Sequence, residues 1–193
     1  DLGRRNTPVI PDPDPMRRAH YLLLESTYGN RSHGAFDLEK MLKQHVLAAA
    51  RDRGVLLVPA FSVGRTQSIL YHLRQLQLRG EIEPLPIFVD SPMAIDATAL
   101  YIAHREEHDD AMVRMIADGE DPIHPERVHF ARSVAESRRI NEHKGPAVII
   151  SASGMATGGR ILHHMKHRLP RENTTMLFVG YQAAGTRGQK LLA

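Results

Sequence analysis

Cysteine is absent from the 193 residues, which excludes a disulfide framework, a thiolate metal site and a cysteine nucleophile. The absence fits a reducing compartment, and a cytoplasmic location is the expectation. Tryptophan is missing too, and aromatic residues make up only 5 %, so stacking platforms for single-stranded bases are sparse. No apolar run approaches the roughly 18 residues of a membrane span, and no secretory leader is visible. The chain opens on Asp1 rather than Met, which reads as a fragment or a processed product. Neither sign of charge dominates, with 25 Lys and Arg against 22 Asp and Glu. The formal net charge of +3 and pI of about 9.4 suit an anionic partner without requiring one. At 42 % hydrophobic residues the chain can bury a core, and its length suits one large domain or one and a half small ones. Twelve histidines are a high count, read as mainly surface residues.

What is present follows one rhythm. Short apolar runs at Tyr21–Glu25, Val55–Pro59, Pro86–Asp90, Ala147–Ser151 and Met176–Gly180, with a weaker one at Val128–Phe130, alternate with amphipathic stretches. Four or five consecutive apolar residues are what a strand covered on both faces needs. Asp37 is placed to cap a helix carrying Leu38, Met41, Leu42, His45, Val46 and Ala49 at helical spacing. Ser62 is expected to cap a second helix, with Ile69, Leu70, Leu73 and Leu76 as its buried stripe. Asp90 or Ser91 caps a third with Pro92 in its first turn, Ser133 begins a fourth, and Ser153 or Gly154 begins a fifth that ends near Pro170. Residues 118–125 read as a polar loop and 8–15 as a Pro/Asp-rich linker. Strand and helix in alternation predict an α/β fold: a parallel sheet in three layers with right-handed crossovers.

Ligands bind beyond the carboxyl ends of the strands in such sheets. The residues found there are Glu25-Ser-Thr-Tyr-Gly29, Pro59-Ala-Phe-Ser-Val-Gly-Arg65, Asp90-Ser-Pro-Met93, Ser151-Ala-Ser-Gly-Met155 and Gly180-Tyr-Gln182. Each Ser, Asp or Gly also serves as an ordinary cap or turn. The strongest stretch is Ser151–Arg160, where glycines and hydroxyls join a buried strand to a helix. Free N–H groups at a helix start form an anion site, and Arg160 is a candidate bidentate phosphate ligand. Ser62 and Arg65 repeat the arrangement. The stretch is neither a Walker A loop nor a dinucleotide fingerprint. His163 and His167 share the zinc-pair spacing but lack the intervening Glu, so phosphate contact, or a basic face near the helix C-terminus, is the preferred reading, and His163 is the candidate phosphate ligand. No Gly-x-Ser-x-Gly elbow supports a serine nucleophile.

Taken in order, these segments resemble the β-CASP family of RNA-processing hydrolases with a metallo-β-lactamase fold. Asp1-Leu-Gly-Arg4 is similar to the end of the metallo-β-lactamase core, and Glu25–Gly29 to the acidic motif opening the β-CASP region. Pro59–Gln67, Asp90–Met93, Ser151–Met155 with Gly158-Gly159-Arg160, and Gly180–Gln182 with Gly185-Thr186 are similar to later β-CASP segments. The resemblance implies a two-zinc ribonuclease, with the β-CASP domain roofing the active site of the core. It implies Asp1 as a bridging zinc ligand and Glu25 as an acid that orients an active-site histidine. Ser151, Ser153, Gly154, Thr157, Gly158, Gly159, Arg160, Ser62, Arg65 and His163 would hold RNA phosphates. Residues 1–30 and 172–193 would belong to the core and 31–171 to the β-CASP insertion. The family's His-x-His-x-Asp-His motif is not in this sequence, so the chain alone is expected to be inactive and not to hold a full zinc pair. RNA is the expected partner, a homodimer is allowed, and no membrane is involved. A phosphate- or nucleotide-binding module without catalysis, or an RNA-processing scaffold, is the alternative.

Overall fold

The computed structural model describes residues 3–30 and 37–193. Five parallel strands form one sheet: β1 (Val55–Pro59), β2 (Ile87–Asp90), β3 (Val128–Phe130), β4 (Ala147–Ser151) and β5 (Thr174–Met176), in the order β3-β2-β4-β1-β5. Among the described residues the helices are α1 (Leu38–Arg51), α2 (Arg65–Leu78), α3 (Pro92–Ala103), α4 (Asp110–Ala117), α5 (Val134–Glu142), α6 (Ile161–Arg168) and α7 (Arg187–Leu192), with a 3₁₀ turn at Arg105–Glu107.

The sheet is covered on both sides, as its apolar runs require. Leu56, Val58, Val148, Ile150, Ile87 and Val89 pack with α1 and α2, through Leu42, Val46, Ile69, Leu70 and Leu73. The alternate residues Val55, Leu57, Ala147 and Ile149 pack with Ile140 of α5 and Ile161 and Met165 of α6. β4 lies at the centre and β1 beside it, and both are buried throughout. The three-layer α/β architecture is the one the alternation of runs predicts.

Three of the expected caps form. Asp37 accepts from Lys40 N, Ser91 from Ala94 N, and Ser133 with Glu136 forms a capping box. Other expectations need correction. Residues 21–25 form no strand: Tyr21 and Leu23 are 91 % and 94 % exposed, and no neighbouring strand pairs with them among the described residues. β5 starts and stops earlier than Met176–Gly180 because its register follows β1, with Val55 opposite Thr174 and Leu57 opposite Met176. Ser62 does not cap α2. Gly64 does, and Ser62 is buried with its hydroxyl 3.0 Å from that of Ser91. α6 begins at Ile161, leaving 152–160 as a long turn.

Candidate nucleic-acid interface

The carboxyl ends of β2, β3 and β4 meet around Asp90. This carboxylate is fully buried, so burial itself pushes its pKa up, and only strong donors can keep it ionised. Those donors converge from three places. His164 Nε2 of α6 donates to Oδ2 at 2.7 Å, Ser137 Oγ of α5 to Oδ2 at 2.5 Å, and Arg160 Nη1 to Oδ1 at 2.7 Å. Together they outweigh burial and hold the carboxyl below the usual aspartate range. Ser151 Oγ donates to the Asp90 backbone carbonyl at 2.9 Å, and His164 Nδ1 lies 2.8 Å from Asn141 Oδ1. Arg160 also donates to the carbonyls of Ala131 (3.0 Å) and Arg132 (2.6 Å), just past β3. One buried acid thus fastens the ends of β2, β3 and β4 to both helices of the second layer.

The depressed pKa has a consequence for acid stability. The ionised form contributes its full stabilisation above the unfolded-chain value of about 3.9. That contribution is lost as pH falls through the lower folded value. Unfolding midpoints followed from pH 7 down to strongly acidic solution should drop more steeply for the wild type than for Asp90→Asn, which has no carboxylate to protonate.

The hub changes the reading of several predicted phosphate ligands. Ser151 is 1 % exposed and its hydroxyl is spent on Asp90, so it is not available to a ligand. Ser62 is likewise turned inward onto Ser91. Arg160 is not a free bidentate fork, because it is clamped by a carboxylate and two carbonyls. Gly154 is buried, and its lack of a side chain serves packing: a Cβ there would lie 3.0 Å from the Phe61 ring. What stays open is the crest of the turn. Thr157 is exposed, and Ser153 Oγ accepts from Thr157 N at 3.1 Å while facing Thr157 Oγ1 at 3.2 Å. The amides of Gly158 and Gly159 have no partner among the described residues. Gly159 needs its φ of +75°, whereas Gly158 has an ordinary φ and open space where a Cβ would stand. Arg65 and His163 are exposed on the first turns of α2 and α6.

A family profile described as the Beta-Casp domain matches residues 66–191. The chain belongs to the Beta-Casp family. It is 36 % identical over 203 residues to Ribonuclease TTHA0252 of Thermus thermophilus, covering 100 % of this chain and 44 % of the relative. It is 34 % identical over 178 residues to Transcription termination factor FttA of Methanocaldococcus jannaschii, covering 90 % of this chain and 28 % of the relative. The FttA of Pyrococcus horikoshii is 33 % identical over 182 residues, with 90 % and 27 % covered. The chain therefore spans less than half the length of these curated relatives.

Within this Beta-Casp domain, two glutamines that the sequence shows only as members of motifs each hold a turn of their own. Gln67 is fully buried and its Nε2 donates to Ser62 O, Ala94 O and Thr98 Oγ1, binding the β1–α2 turn to α3. Gln182 Nε2 donates to Gly154 O at 3.0 Å, and Gly188 N donates to Met155 O at 3.0 Å. Phe61, 47 % exposed, stands beside the turn and offers one of the chain's few ring faces. The Asp90–His164 pair was missed altogether. A buried strand-end acid and a helix position one turn beyond Arg160 is the only signal it leaves in the sequence.

Glu25 is exposed, and its carboxylate accepts from Thr27 N at 3.0 Å, which lowers its pKa. No histidine is bonded to it among the described residues. Asp1 lies outside the described residues. Among those that are described, no three His, Asp or Glu side chains gather to hold a metal ion. The described residues do not fit a zinc pair.

Proposed function

We propose that this chain is the RNA-gripping part of a ribonuclease, and that the turn 153–159 holds phosphates of a single RNA strand. The observation that carries the reading is the crest of that turn: two unpartnered glycine amides beside two hydroxyls, at the carboxyl end of the central strand. Gly158 supports it, because neither φ nor packing calls for glycine there, while close approach of a phosphate does. Arg65 adds an exposed cation at the neighbouring helix start and Phe61 a surface for one base. The hydrolytic centre, with Asp1 as a zinc ligand and Glu25 as a supporting acid, would be completed by residues other than those described. The Asp90 hub sets the height of the turn and makes no contact with RNA. Phosphate contacts carry no base information, so sequence preference is weak.

Thr157→Val tests this directly, because it is isosteric and exposed. A hydrogen bond to a charged group contributes about 1.5–3 kcal/mol. Loss of the hydroxyl should therefore weaken single-stranded RNA binding about tenfold or more in fluorescence anisotropy, with the unfolding midpoint unchanged. Unaltered affinity contradicts the assignment.

A further inference from the structure

Charge is divided unevenly between the two helical layers. Residues 132–172, which build α5, β4 and α6, carry eight Lys and Arg against three Glu, a net +5. The whole chain nets +3, so the other 152 residues net −2. On the first layer Lys43 pairs with Glu81, Arg79 with Glu39 and Glu81, and Arg74 with Glu120, while Lys40 and Arg65 have no ion-pair partner among the described residues. On the second layer Arg132 pairs with Asp96 and Arg160 with Asp90, while other exposed cations stay unpaired. Arg138 on α5, Lys144 in the turn to β4, Lys166 on α6 and Arg171 beyond it are all exposed, and none has an ion-pair partner among the described residues. The inward sides of α5 and α6 are occupied by Ile140, Ile161 and Met165 against the sheet, so these cations stand on the outer surface. α6 starts directly after the turn 153–159 and runs from it for eight residues, about 12 Å at 1.5 Å per residue.

We infer that the outer face of α5 and α6 is a second RNA-binding surface, a basic track that takes the strand on its way to or from the turn. This rests on the RNA reading above and extends it from one or two phosphates to a longer stretch of backbone. A surface of unpaired cations leading off a polyanion site favours a continuous polyanion over a compact ligand, because each neutralised phosphate releases counterions. It also accounts for the unpaired cations Arg138, Lys144, Lys166 and Arg171 on one layer, whereas the layer of α1 and α2 pairs Lys43, Arg51, Arg74 and Arg79.

The test uses the triple variant R138Q/K166Q/R171Q of the purified protein and two single-stranded RNAs, of about 4 and about 16 nucleotides, the span of known single-strand site sizes. With the long RNA, the slope of log K against log salt should become shallower by about 2, at roughly 0.7 per lost phosphate contact. Affinity for the short RNA, confined to the turn, should be unchanged. Equal affinity and slope for wild type and variant on the long RNA overturn the track and leave the turn assignment standing. Equal losses on both RNAs also overturn it, since the effect is then not on strand length. Failure of the wild type to bind either RNA overturns the track and the reading beneath it together.

Discussion

Asp90→Ala lowers the free energy of unfolding by about 3–5 kcal/mol, the usual cost of removing one partner of a buried ion pair. The magnitude follows from what is left behind. Arg160, His164 and Ser137 lose their common acceptor in a site with no access to water at Asp90 or His164. A buried group stripped of its partner costs its full desolvation. Chemical denaturation measures the loss. Asp90→Asn, which keeps an acceptor oxygen but not the charge, should fall between wild type and Ala. Because Arg160 also holds the carbonyls of Ala131 and Arg132, RNA affinity should fall with Asp90→Ala although Asp90 touches no RNA. A decrease of less than about 1 kcal/mol, the scale of an exposed ion pair, would mean that the hub is not closed as described.

Gly159→Ala is the second large effect, and it acts on the turn itself. A residue other than glycine at φ of +75° carries strain on the order of 1–3 kcal/mol. The added Cβ would also lie 2.5 Å from the Ala152 carbonyl oxygen, which is backbone and accepts from Ile161 N at 3.1 Å. Relief requires the turn to move away from the first residue of α6. Single-stranded RNA binding should be lost, and the unfolding midpoint should fall. Gly158→Ala is the control: it meets no atom within 4 Å and has an ordinary φ. It should leave stability unchanged and weaken RNA binding only, by keeping a phosphate from the amides.

The layers and most strands were legible because they depend on local patterns. Val55–Pro59 and Ala147–Ser151 are apolar throughout and bounded by turns, and they became the two most buried strands with the expected limits. Ser91 and Ser133 cap helices because each hydroxyl can accept from an amide three residues on while also meeting a second polar group, Ser62 for the one and Glu136 for the other. Ser62 and Ser151 looked equivalent to them in sequence, yet their hydroxyls point to partners 29 and 61 residues away. Spacing along the chain holds no record of such pairs. Arg160 reads in the sequence as a cation free for a ligand, because its true partner, Asp90, lies 70 residues earlier. Tyr21–Leu24 has the composition of a strand, but pairing is a property of two segments, and no second one is present among the described residues. The family motifs, by contrast, could be recognised without knowing which of their residues face outward. That is why the family was readable and the inward partners of Ser62, Ser151, Gly154 and Arg160 were not.

The most direct measurement follows backbone amide resonances of the protein as single-stranded RNA is added. The account predicts that the amides of Thr157, Gly158 and Gly159 shift first and furthest, with Ser62 and Ser151 nearly still. Saturating RNA that leaves Gly158 and Gly159 unmoved, while other regions shift, would contradict the claim that this turn holds the phosphates.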